Sequence, residues 1–137
     1  MKLSIASLGV ILAASLPSVQ GYGAFTVSKF SAGATPHSSI GYVELSWSTG
    51  KNETKCSARP GTYQSFPSVG KTACSAPSTA FSLTKREDGG ADLALFLGNA
   101  QAVHTITKDQ IIWTNQQSPT GTVQVYSGPQ NFTAERV

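Results

Sequence analysis

Charge is scarce in this sequence. Asp, Glu, Lys and Arg make up 12% of its 137 residues, and the formal net charge is +3. The basic residues are scattered from Lys29 to Arg136. Nucleic-acid binding needs a clustered basic stripe, usually interleaved with aromatics. Lys51-Lys55-Arg59 comes nearest, but Glu53 interrupts it, and a solvated face is the better reading. No nucleic-acid partner is expected. Histidine is scarcer still, with His37 and His104 alone. A nucleophilic hydrolase needs Ser, Cys or Thr beside a His that a carboxylate orients. There is no Gly-x-Ser-x-Gly elbow, and Ser38 after His37 is simple adjacency in a Ser-rich loop.

Long apolar runs are also missing, apart from Leu3 to Leu16. That run spans about 14 residues, too short to cross a hydrocarbon core of about 30 Å as a helix. It follows the basic start Met1-Lys2, is broken by Pro17, and precedes the small residues of Val19-Gln20-Gly21. This is the layout of a cleavable secretory signal. The expected division is a signal peptide at 1–21, cleaved between Gln20 and Ala24, and one secreted domain at 22–137. Lys2 leaves with the signal, which brings the mature chain to about +2. About 115 residues remain, the size of one domain. No membrane association is expected once the signal is gone.

The two cysteines, Cys56 and Cys74, both lie in the mature part. In an oxidising compartment such a pair reads as a disulfide. Closing a loop of about 19 residues contributes roughly 3 kcal/mol in the chain-entropy model. Once paired, the cysteines leave zinc nothing to bind. Two sequons, Asn52-Glu53-Thr54 and Asn131-Phe132-Thr133, are candidate N-glycosylation sites and suit export.

Hydrophobic periodicity of two dominates the mature chain, and no helical apolar pattern appears. Phe25, Val27 and Lys29 alternate with Thr26, Ser28 and Phe30 in a first strand, followed by a loop over Ser31–Ser39. Val43, Leu45 and Trp47 share one strand face, and Tyr42 takes the wetter one. Asn52–Ala58 returns as a strand, and Arg59–Ser78 reads mostly as loop. Ala80–Lys85 and Ala91–Leu97 form a hairpin about Asp88-Gly89-Gly90. Further strands are expected over Gln101–Thr107, Asp109–Trp113 and Thr122–Tyr126. The tail Gln130–Val137 is left open between a last edge strand and a frayed end. Seven to nine strands predict an all-β antiparallel sandwich or barrel.

Three constellations bear on chemistry. Glu87, Asp88 and Asp92 flank a turn, where Asp is wanted for turn geometry; the same cluster could hold Ca²⁺, but it follows no recognised Ca²⁺-loop pattern. Paired carboxylates for glycoside hydrolysis are not otherwise evident. Trp47, Trp113, Tyr42, Tyr63 and Tyr126 are candidates for a sugar-stacking platform, with Trp47 placed in the core by its parity. No catalytic residue, metal or cofactor is assigned, and ligand-binding residues are left unknown.

In order and spacing, five segments stand out: Phe25-Thr-Val-Ser-Lys-Phe-Ser-Ala32, Pro36-His37-Ser38, Thr54-Lys-Cys-Ser-Ala58, Cys74-Ser75, and Phe81 through Leu93. Together they resemble the fungal family named after the Alternaria alternata major allergen, over about Phe25–Leu97. The resemblance implies an antiparallel β-barrel or sandwich exported by a fungus and acting as allergen, elicitor or effector. It implies host defence proteins of the thaumatin-like class, or small phenolics, as partners. It also implies that Cys56 pairs with Cys74. Where many relatives carry two further cysteines, Ala34 and Gly41 stand here, which suits a missing second disulfide.

Overall fold

In a computed structural model of the chain the described residues are 24–50, 52–117 and 120–137. The expected signal peptide and its cleavage point up to Gly23 lie outside them, as does Lys51. Ten strands follow one another: β1 (Phe25–Ala34), β2 (Gly41–Ser48), β3 (Glu53–Ala58), β4 (Val69–Ala73), β5 (Thr79–Lys85), β6 (Ala91–Leu97), β7 (Ala100–Ile106), β8 (Ile111–Gln117), β9 (Thr120–Tyr126) and β10 (Phe132–Arg136). A single 3₁₀ turn, Lys108–Gln110, leads into β8. All pairings are antiparallel, in the order β3-β2-β1-β10-β7-β6-β5-β4.

The sheet rolls into a nearly closed barrel because apolar residues from most of its strands face one interior. Val43, Leu45 and Trp47 from β2 meet Phe81 and Leu83 from β5 and Leu93 and Leu95 from β6 in that core. Phe25 stacks on Trp47 with ring centroids 5.4 Å apart. The two end strands of the sheet are joined by the Cys56–Cys74 disulfide, whose Cα atoms are 4.5 Å apart. Hydroxyls complete the seam. Thr54 Oγ1 lies 3.1 Å from Thr79 Oγ1 and accepts from the Ala76 N–H. The Lys55 N–H donates to Ser75 Oγ, and the Ser75 N–H to the Lys55 carbonyl.

Four expectations need correction. The first strand does not stop at Phe30 but runs to Ala34, and its alternation breaks inside. Lys29 adopts φ 58° at a bulge between Ser28 and Ser31 in the β1–β2 register. One extra residue reverses parity, so Phe30 turns inward and is fully buried while Lys29 faces out. Within the expected loop Arg59–Ser78, Val69–Ala73 forms β4. The expected strand at Asp109–Trp113 begins later and runs to Gln117, because its first residues form the 3₁₀ turn. The tail is neither frayed nor an edge: β10 is inserted between β1 and β7 and joins the two halves of the barrel.

Candidate binding surface

The β8–β9 hairpin stands beside the barrel and is tied to it at a few points. Val125 bridges Gly33 at the end of β1, and Tyr126 packs edge-on against Phe30 at 4.8 Å. The Gln124 N–H donates to the Gln64 carbonyl (2.7 Å), and the Phe66 N–H donates to Gln124 Oε1 (2.9 Å). These bonds hold the 59–66 loop against the hairpin. The same loop is held to the β1–β2 connection by the Ile40–Gly61 bridge and by the Thr62 N–H on the Ser39 carbonyl.

The elements that these contacts link each carry large exposed apolar side chains. Tyr63 is 66% exposed, Trp113 57%, Ile40 48% and Ile112 39%. Trp113 pairs across the hairpin with Gln124, so the two share a face. Gln124 is in turn bonded to the residue after Tyr63. Ile112 lies on the opposite face of β8 by the alternation of the strand. Two of the connecting loops hold strained backbone, since Gln64 and His37 both sit at positive φ (63° and 55°). Thr62 Oγ1 braces the strained loop by donating to the Ser65 carbonyl at 2.8 Å. Non-glycine residues held in this conformation gather at binding loops more often than elsewhere.

The remaining aromatic candidates are not part of a row. Trp47 is 2% exposed, in the core as its parity predicts. Tyr42 is half-buried beside its cross-strand partner Gly33, where a Cβ would come within 3.0 Å of the phenol oxygen. Tyr126 donates its hydroxyl to the Pro129 carbonyl at 2.6 Å, and burial pushes its pKa up. Sequence parity could not separate Tyr63 from these, because a loop has no fixed alternation.

The acids at the β5–β6 turn are spoken for locally. Arg86 reaches both turn acids, donating to Asp88 Oδ2 at 3.3 Å and to Asp92 Oδ1 and Oδ2 at 3.2 and 3.1 Å. Asp92 also accepts from the Thr105 hydroxyl. The Gly90 N–H, foremost, and then Arg86 hold the Asp88 carboxyl below the usual range. An internal guanidinium thus occupies the place a Ca²⁺ would take, and Glu87 is exposed outside it. His104 stacks on Phe132 at 3.9 Å, and His37 is exposed on its loop. Among the described residues neither imidazole is hydrogen-bonded to a serine or a carboxylate. Asn52 and Asn131 are both exposed, and Asn131 Oδ1 accepts from the Lys29 N–H at 3.2 Å. Ala34 and Gly41 face each other across β1 and β2.

Fold and surface together define a nearly closed antiparallel β-barrel with one disulfide and a laterally attached hairpin. Comparison with protein-family models, with curated proteins and with solved structures returns no match.

Proposed function

We propose that this is a secreted, N-glycosylated, non-enzymatic binding protein of the effector or elicitor kind, which acts by engaging a host protein or a small metabolite. The observation that carries the reading is the exposure of Tyr63 and Trp113, on a loop and a hairpin that are bonded to each other. Tyr and Trp are the side chains that dominate binding hot spots, and here they project from a braced loop and hairpin. The disulfide suits an oxidising compartment. The likeness to the Alternaria allergen family supports an effector or allergen role, with thaumatin-like defence proteins or small phenolics as the first partners to try. Exposed aromatics also favour one second reading, a carbohydrate-binding module or cell-wall-acting enzyme, because sugar rings stack on such faces.

Binding of the mature protein to fractionated plant apoplastic proteins, to phenolics and to insoluble wall polysaccharides separates these readings. Trp113→Ala and Tyr63→Ala are expected to weaken partner binding by about tenfold or more each, about 1.4 kcal/mol. His37→Ala, His104→Ala and Asp92→Asn are expected to leave it unchanged. Retention on polysaccharide that is lost in Trp113→Ala selects the second reading. Turnover abolished by one folded histidine or carboxylate variant overturns the non-enzymatic one.

A further inference from the structure

The outer face of β1, β2 and β3 carries an open groove of about 470 Å³, within the usual size range of ligand sites. Leu45 and Trp47 point into the core, so Ser46 between them points the other way, onto this face. The ladders set Ser28, Ser46 and Lys55 in one row and Ser31, Glu44 and Ser57 in the next. Lys29, Glu44, Lys55, Ser57 and Ser75 line the groove together with Ser46. Ser46 is 7% exposed although it lies outside the barrel, and its hydroxyl makes no hydrogen bond to another described residue. Among the described residues Trp47 Nε1 alone is both sealed from solvent and without a partner, so the Ser46 hydroxyl opens into the groove. A nearly buried hydroxyl in that state calls for a partner.

The bulge supplies the second feature. Lys29 keeps its left-handed φ of 58° because Asn131 Oδ1 accepts its N–H and the Gln130 carbonyl accepts the next one. Strain held in this way gathers at ligand clamps, and a bulge re-aims the side chain it carries. Here Lys29 lines the groove on the β1 side and Lys55 on the β3 side. Neither lysine is in a salt bridge among the described residues. Glu44 is paired with Arg59 at 3.6 Å. Glu53 accepts from Ser28 Oγ at 3.4 Å and is not a lining residue. Two ammonium groups beside serine hydroxyls suit an anion that carries hydrogen-bonding groups of its own. A carboxylate in the wall disfavours a doubly charged phosphate and accepts from hydroxyls instead. We propose that this groove binds a sugar acid, a singly charged carboxylate ringed by hydroxyls, either free or as one unit of an acidic polysaccharide. Its carboxylate lies between Lys29 and Lys55 and accepts from the Ser46 hydroxyl, while its own hydroxyls face Ser57 and Glu44. Tyr63 and Trp113 are not lining residues, so the site stands independently of the reading above.

The test titrates ¹⁵N-labelled mature protein with galacturonic acid, galactose, sodium sulfate and oligogalacturonides, all at one ionic strength. Galacturonic acid is expected to shift the amide resonances of Ser46, Lys55 and Ser57, and galactose to leave them in place. Lys29→Gln and Lys55→Gln are expected to weaken binding by about tenfold each, and Ser46→Ala by about threefold. Thermal melts establish that each variant is folded. Trp113→Ala is expected to bind as wild type does. Oligogalacturonides that bind more tightly per uronate than the monomer assign the site to a polysaccharide, and equal affinity assigns it to the free acid; both uphold it. Sulfate that shifts the same resonances as strongly as galacturonic acid reduces the groove to a general anion site and overturns the inference. Equal shifts with galactose, or no shift of these resonances with any probe, overturn it too.

Discussion

His104 shows how a single side chain acquires a measurable role without any catalytic partner. Burial holds its imidazole below the usual histidine pKa, an effect that a hydrogen bond with the Thr133 backbone offsets only in part. A base with a depressed folded pKa takes up protons more readily when unfolded. Its contribution is therefore complete above the unfolded value of about 6.5 and is lost as pH falls from there through the lower folded value. Thermal melts between pH 7.5 and pH 5.5 (about the titration range) are expected to show a falling midpoint that is shallower in His104→Gln. Equal slopes in the two proteins would remove His104 from the account. At this scale the sequence was most legible where alternation is strict: Trp47 falls in the core with Val43 and Leu45. It was least legible at Arg86, whose grip on Asp88 and Asp92 depends on bringing a hairpin turn and β6 together.

β1 carries the local rule-breaking that shapes the barrel. Its outer edge is shared, with Phe25–Val27 pairing β10 and Gly33 meeting β9. The switch between partners falls at the bulge, where the Lys29 N–H bonds to Asn131 Oδ1 and the Phe30 N–H to the Gln130 carbonyl. Asn131→Ala is expected to cost about 0.5–1.5 kcal/mol. Lys29→Val forces a β-branched side chain into left-handed backbone and is expected to cost about 1–3 kcal/mol. Lys29→Gly fits that conformation and is expected to stay close to wild type. Urea unfolding measures all three, and a Val variant as stable as the Gly variant would refute the strain. The bulge was invisible in the sequence because no glycine marks it. A single inserted residue was enough to put Phe30 on the wrong face in the sequence reading. The hairpins at β2–β3 and β5–β6 were readable because Gly-containing turns separate alternating runs.

For the whole molecule, the seam between β3 and β4 is the place where closure is incomplete as a ladder and is made good by chemistry. The disulfide and the Thr54–Thr79–Ser75 hydroxyls stand where strand pairing would otherwise run. Cys74→Ser is expected to lower unfolding free energy by about 2–4 kcal/mol. The loss should be accompanied by faster proteolysis near the Ser75–Ser78 segment. A titre of free thiols in the folded wild type, or a variant as stable as it, contradicts the role. The pairing was legible from two cysteines in an export context. The closed shape was not, because it depends on β10, and a short polar segment with two apolar residues gives no sign of which neighbours it will choose.

The position of β10 also sets a schedule. β1 and β7 share no ladder and become neighbours through a segment that follows both in the chain. A ribosome delivers sequence in one direction, so β1–β3 and β4–β7 emerge while the segment that unites them is still unmade. Until Phe132–Arg136 arrives, the facing edges of β1 and β7 present unpaired amides, the kind of edge that invites pairing with other chains. Such a topology has high contact order and folds after synthesis rather than during it. Oxidation of Cys56 and Cys74, only 18 residues apart, can precede that step, so covalent joining of the seam is available before the opposite side of the barrel exists.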